Sequence, residues 1–240
     1  MGEPCPARPA ANLTGRRVLH PPTLGMSLFL DIGTGAGLAG ATGVRPFLPP
    51  LLAGALARGD VGIDFDGTDW SFLESPGFLL AVLALAVITY GAERSGANRS
   101  PPATAGRGPS GAEDPGPRAD GWSPLALAAG LIGLVLGALL FAGALADGGN
   151  AGWAGLVAGP VCAALAWLAV GGLLERAGRR LEGGAATLLG LYAEGAALVL
   201  AALAIFLPPV SFLALLGFVV LLVGGRRREG EKYAGLRVLR

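Results

Sequence analysis

The chain has 240 residues, of which 52% are hydrophobic and only 15% charged. A soluble domain carries about 25% charge, so this composition, with a mean hydropathy of +0.59, excludes a water-coated globule and predicts an integral membrane protein. One histidine and two cysteines, Cys5 and Cys162, exclude zinc and iron centres, which need three or four clustered nitrogen or sulfur ligands.

Residues 1–25 carry Pro and Arg without hydrophobic periodicity and are expected to be a disordered tail with His20 in solvent. Met26, directly before the first apolar run, is an alternative start. A bilayer is crossed by about 20 apolar residues, and six such stretches follow. The first, Ser27 to Ala57, is too long for one straight helix and is interrupted at Arg45-Pro46, so it is kinked or re-entrant there. The second is Pro76 to Ala92. The third, Ser123 to Ala146, ends in the turn Asp147-Gly148-Gly149-Asn150, and the fourth is Gly152 to Leu174. Pro208-Pro209 divides the fifth, Ala185 to Leu207, from the sixth, Val210 to Val223, because prolines lack an N–H and restrict the residue before them. The expected organisation is a two-span part over 26–94, a flexible Gly- and Pro-rich linker over 95–121, a four-span part over 122–225 and a basic tail over 226–240.

Basic residues in short loops stay on the cytoplasmic side. With both termini cytoplasmic, six spans place 16 of the 18 basic residues inside, leaving Arg58 outside and Arg45 within a span. Asp60, Asp64, Asp66, Asp69, Glu74 and Asp147 then gather outside. A multi-pass protein of the cell's inner (plasma) membrane is expected.

The run Gly37 to Ala57, GLAGATGVRPFLPPLLAGALA, precedes an acidic loop and Phe72-Leu73-Glu74-Ser75-Pro76. A Leu-rich hairpin around Phe206-Leu207-Pro208-Pro209 later leads into a basic cluster. In these features, from Met26 onward and outside the linker, the chain resembles the bacterial integral membrane proteins grouped as domain of unknown function 4126. The resemblance implies a membrane protein and carries over no catalytic or binding residue.

Gly35, Gly37 and Gly40 match a dinucleotide-binding spacing, but that motif needs a preceding strand. Inside a membrane span the better reading is close helix packing through small residues, Gly33/Gly37/Ala41. The same reading covers Gly130, Gly133 and Gly137, and Gly152, Gly155 and Gly159. Asp64, Asp66 and Asp69 form an acidic group whose glycine stands two places too early for a calcium loop, so a solvated loop is expected.

Four residues form a candidate intramembrane polar site. Arg45 lies at the break, where a charge at the bilayer centre costs at least about 2.5–3.5 kcal/mol. It either binds an anion or buried carboxylate, or snorkels to the surface. Glu194 lies mid-span with Tyr192 two places before it, a proton or cation site or else a structural partner of Arg45. Asp31, near the inner end of the first span, is the fourth. The repeat of Phe-Leu-Pro-Pro at 47–50 and 206–209 is best read as coincidence, with a duplicated half as the alternative. The expected fold is an all-α bundle of about six transmembrane helices in the lipid bilayer. The expected role is a small permease or channel for an ion or solute, or a non-transporting scaffold meeting itself or a membrane partner through Gly-rich faces. No enzyme activity, cofactor, metal or nucleic-acid partner is expected.

Overall fold

The computed structural model describes residues 24–97, 124–178 and 184–234. Among these the chain is helical: α1 (Leu24–Val44), α2 (Leu48–Ala57), α3 (Pro76–Ala97), α4 (Pro124–Asp147), α5 (Trp153–Gly178), α6 (Gly184–Phe206) and α7 (Pro208–Ala234), with a 3-10 turn at Ser71–Glu74. Three helices are long and apolar enough to cross a bilayer, over Leu127–Asp147, Trp153–Leu174 and Leu188–Phe206. The chain is a membrane protein. The count of six full spans is not met, because the apolar parts of α3 and α7, Pro76–Ala92 and Pro208–Gly224, are shorter. Each runs into charge, at Glu93-Arg94 and at Arg226. Residues 1–23, 98–123, 179–183 and 235–240 lie outside the described residues, and with them fall the expectations for Cys5, His20, the N-terminal tail and most of the linker. The helix α3 runs three residues into the expected linker. The basic cluster expected as a tail continues α7 to Ala234, since Arg, Glu and Lys are good helix formers.

Of the two forms expected for the first segment, kinked or re-entrant, a single kinked helix is not the one found. In place of one kinked helix stand two, α1 of 21 residues and α2 of 10, parted by Arg45, Pro46 and Phe47. They run in opposite directions. At its start α1 meets the α4–α5 turn, where Asn150 Nδ2 donates to Asp31 at 2.9 Å. Deeper in the bundle its end packs against Gly133, Gly137 and Ala163. From there α2 returns. Phe47 sits edge-on to Tyr90 of α3, Gly54 is against Leu79, and the loop beyond α2 closes on Gly143, one turn before Asp147. Hence α1 and α2 enter and leave at the same end, a re-entrant hairpin. Helix direction alternates from α1 to α7, so the start of α1 and the end of α7 lie at opposite ends of the bundle.

The helix at the centre is α1, packed against α2, α4, α5, α6 and α7. Its small residues are the reason, since backbones can approach only where side chains are absent. A Cβ on Gly33 would stand 2.7 Å from the Pro208 carbonyl oxygen, and one on Gly43 would strike the carbonyl of Ala163. The α4–α5 crossing repeats the device: Gly155 and Gly159 leave room for the backbone at Ala142 and Ala138, 2.5 and 2.6 Å from where a Cβ would sit. The small-residue reading of these glycines thus holds, and the partner they serve is inside the same chain. Of the two Phe-Leu-Pro-Pro runs, one lies at the reversal inside the bundle and the other at the α6–α7 turn.

Candidate functional site

The hairpin reversal places irregular backbone inside the bundle, which membranes tolerate only where protein or a water-filled cavity surrounds it. Two features make it affordable here. Phe47, Pro49 and Pro50 are fully buried, so the bend is enclosed. Pro46, Pro49 and Pro50 also carry no N–H, while the N–H groups of Arg45 and Leu51 donate to the carbonyls of Ala41 and Phe47. Between Arg45 and Leu51 only Phe47 and Leu48 bring further backbone donors. They stand at the start of α2, whose dipole places partial positive charge there.

Arg45 occupies this point. Its Nε is buried and has no hydrogen-bond partner, and its Nη2 lies 3.3 Å from where a Cβ on Gly190 of α6 would stand. The absence of a side chain at Gly190 makes room for the guanidinium. Glu194 follows one helical turn later, on the same face as Gly190, and is half-buried. Among the described residues no ion pair joins Arg45 to Glu194. The site is therefore a cation held in the bundle with hydrogen-bonding capacity unspent, and Glu194 stands one helical turn beyond Gly190 on α6.

Two of the four expected site residues do not belong to it. Tyr192 is 79% exposed. Two positions on a helix lie about 200° apart, so a tyrosine two places before an inward-facing Glu194 points out of the bundle. Asp31 sits at the opposite end of α1, beside Asn150 and Gly148. The reversal explains it, because α1 starts at the acidic end rather than away from it.

That acidic end is better built than a solvated loop. Ile63, Phe65 and Leu73 are buried, and Phe65 and Leu73 fill the space that a Cβ on Gly143 would need. Alternation along Ile63-Asp64-Phe65-Asp66 sends apolar side chains down and carboxylates out. The loop binds itself: Thr68 Oγ1 donates to the Phe65 carbonyl at 2.7 Å, and the Asp66 N–H donates to Asp64 Oδ1 at 2.8 Å. Its ties outward are the Phe65 N–H donating to Glu74 and the Asp64 N–H donating to Asp147. Carboxylate oxygens of Asp64, Asp66 and Glu74 lie within 4.8 Å of one another. Glu74, delivered by the 3-10 turn, replaces Asp69 in the trio read from sequence. Two of the three acids already serve loop N–H groups, which accounts for the cluster structurally. Glu74 lies above the usual carboxyl value of 4.5, chiefly from desolvation, against the bond from Phe65 and with Asp66, Asp64 and Asp60 adding to the rise.

No family model, curated protein or solved structure matches the chain.

Proposed function

We propose that the chain is a multi-pass protein of a bacterial inner membrane that passes a small anion through its bundle, with Arg45 as the binding group along the path. The buried and unpartnered Nε of Arg45 at the re-entrant reversal carries this reading. A guanidinium beside the start of a helix is the combination that attracts negative charge, and a broken helix at depth is where transporters bind ions. Glu194, one turn beyond Gly190, is placed to repel a second anion or to take a proton. The acidic end faces outward, because Arg94, Arg176 and Arg226 to Arg228 stand toward the far ends of α3, α5 and α7, and basic ends stay cytoplasmic.

A scaffold role is the weaker reading, since the glycines at Gly33, Gly37, Gly155 and Gly159 are spent on contacts within the chain. The purified protein in liposomes, loaded with a halide-sensitive dye, tests the proposal. Halide entry should be seen with wild type, fall to the level of empty liposomes with Arg45→Gln, and be partly kept by Arg45→Lys. Wild-type liposomes that stay as tight as empty ones, or Arg45→Gln that conducts as well as wild type, would overturn it.

A further inference from the structure

On the side of the bundle away from the acidic end, α5 and α7 frame a cavity of about 430 Å³ lined by Leu165, Leu168, Val219, Leu222 and Val223. Its origin lies in the length of α1. Gly40 meets Leu215 and Phe218, and Gly43 meets Ala163. One residue later α1 ends, so beyond Ala163 on α5 and Phe218 on α7 none of the described residues fills the space that α1 occupies above. The volume is that of a pocket for a molecule of drug size, about 300–1,000 Å³, and the lining offers no polar side chain. Only the apolar part of a ligand fits.

What lies next to this cavity selects the rest of the ligand. Three residues after Val223, about 4.5 Å along the helix, α7 continues through Arg226, Arg227 and Arg228, followed by Glu229, Glu231 and Lys232. Two turns after Leu168, α5 reaches Glu175 and Arg176. Basic residues outnumber acids in both stretches together, and basic residues at a membrane surface draw anionic headgroups. We propose that this groove is a binding site for one acyl chain of an anionic phospholipid, whose headgroup is held at Arg226 to Arg228.

Native mass spectrometry of the full chain tests this, in detergent micelles containing phosphatidylglycerol and phosphatidylcholine with the same acyl chains. Wild type should retain one phosphatidylglycerol in preference. Leu222→Trp, which fills the groove, should release it. A triple variant, Arg226→Gln with Arg227→Gln and Arg228→Gln, should keep a lipid but lose the headgroup preference by about a hundredfold, each charge contributing roughly fivefold. If Leu222→Trp does not fold, Val219→Phe takes its place. Soluble glycerol phosphate, which has the headgroup but no chain, should fail to displace the lipid from wild type. Equal retention of the two lipids by wild type would overturn the proposal. Undiminished retention in the filled variant, displacement by glycerol phosphate, or a wild-type dimer that the filled variant abolishes would do the same.

Discussion

Replacing Arg45 with Met separates a role in structure from a role in ligand binding. Methionine keeps an unbranched stem against Gly190 and removes the buried donor. An unsatisfied buried donor costs about 1–3 kcal/mol, so Arg45→Met should raise stability by that amount, or about 2–4 °C of melting temperature for each kcal/mol in a chain of this size. The ligand then reverses the order. An anion that binds only the folded wild type adds about 2.7 kcal/mol at a hundred times its dissociation constant, and should add nothing to the variant. Thermal unfolding in detergent, followed by circular dichroism across a halide series at constant ionic strength, reads both effects. The reasoning fails if Arg45→Met melts below wild type without halide, for Arg45 would then be a stabilising member of the core. It fails equally if halide raises the melting temperature of both proteins alike.

Four further outcomes follow from the packing and the acidic end. Phe65→Ala should cost about 3–5 kcal/mol, the usual penalty for emptying a buried Phe site, and should expose the loop over residues 58–75 to limited proteolysis. Gly155→Ala should cost about 1–3 kcal/mol, measured by denaturant unfolding, because the neighbour it would strike is the Ala142 backbone rather than a movable side chain. Because Glu74 in the folded protein holds its proton above the ordinary value of 4.5, its contribution to stability is fully present below 4.5 and is lost as pH rises through the folded value. A melting series from acid upward should show that decline for wild type and a shallower one for Glu74→Gln. Tyr192→Leu, on the outer face of α6, should change stability by no more than about 0.5 kcal/mol and leave halide entry at the wild-type rate.

Much of the helix map is legible in the sequence. Pro208-Pro209 marks the α6–α7 turn, Asp147 to Asn150 marks the α4–α5 turn, and the glycine spacing on α1, α4 and α5 marks where backbones touch. The reversal at Arg45 is visible as a break, but its angle is not. Proline interrupts hydrogen bonding whether the chain bends slightly or turns back, and the distant partners of α1 and α2 decide which. The acidic loop misleads for a different reason. Its two inward residues, Ile63 and Phe65, are set among Asp and Gly, so averages over a window hide the alternation. For Tyr192 the signal was present: helical geometry alone puts it on the face opposite Glu194.

The central position of α1 has a consequence for biosynthesis. Phe141 follows its contact Gly35 by 106 residues, and Ser211 follows its contact Gly37 by 174. At about 5–20 residues per second, the first helix waits roughly 10–35 s for the last of its neighbours to be made. Until α4 and the α4–α5 turn are made, Gly35 and Asp31 lack these partners. The innermost of the described helices is the first of them to leave the ribosome, and closing the bundle around it belongs to the end of assembly.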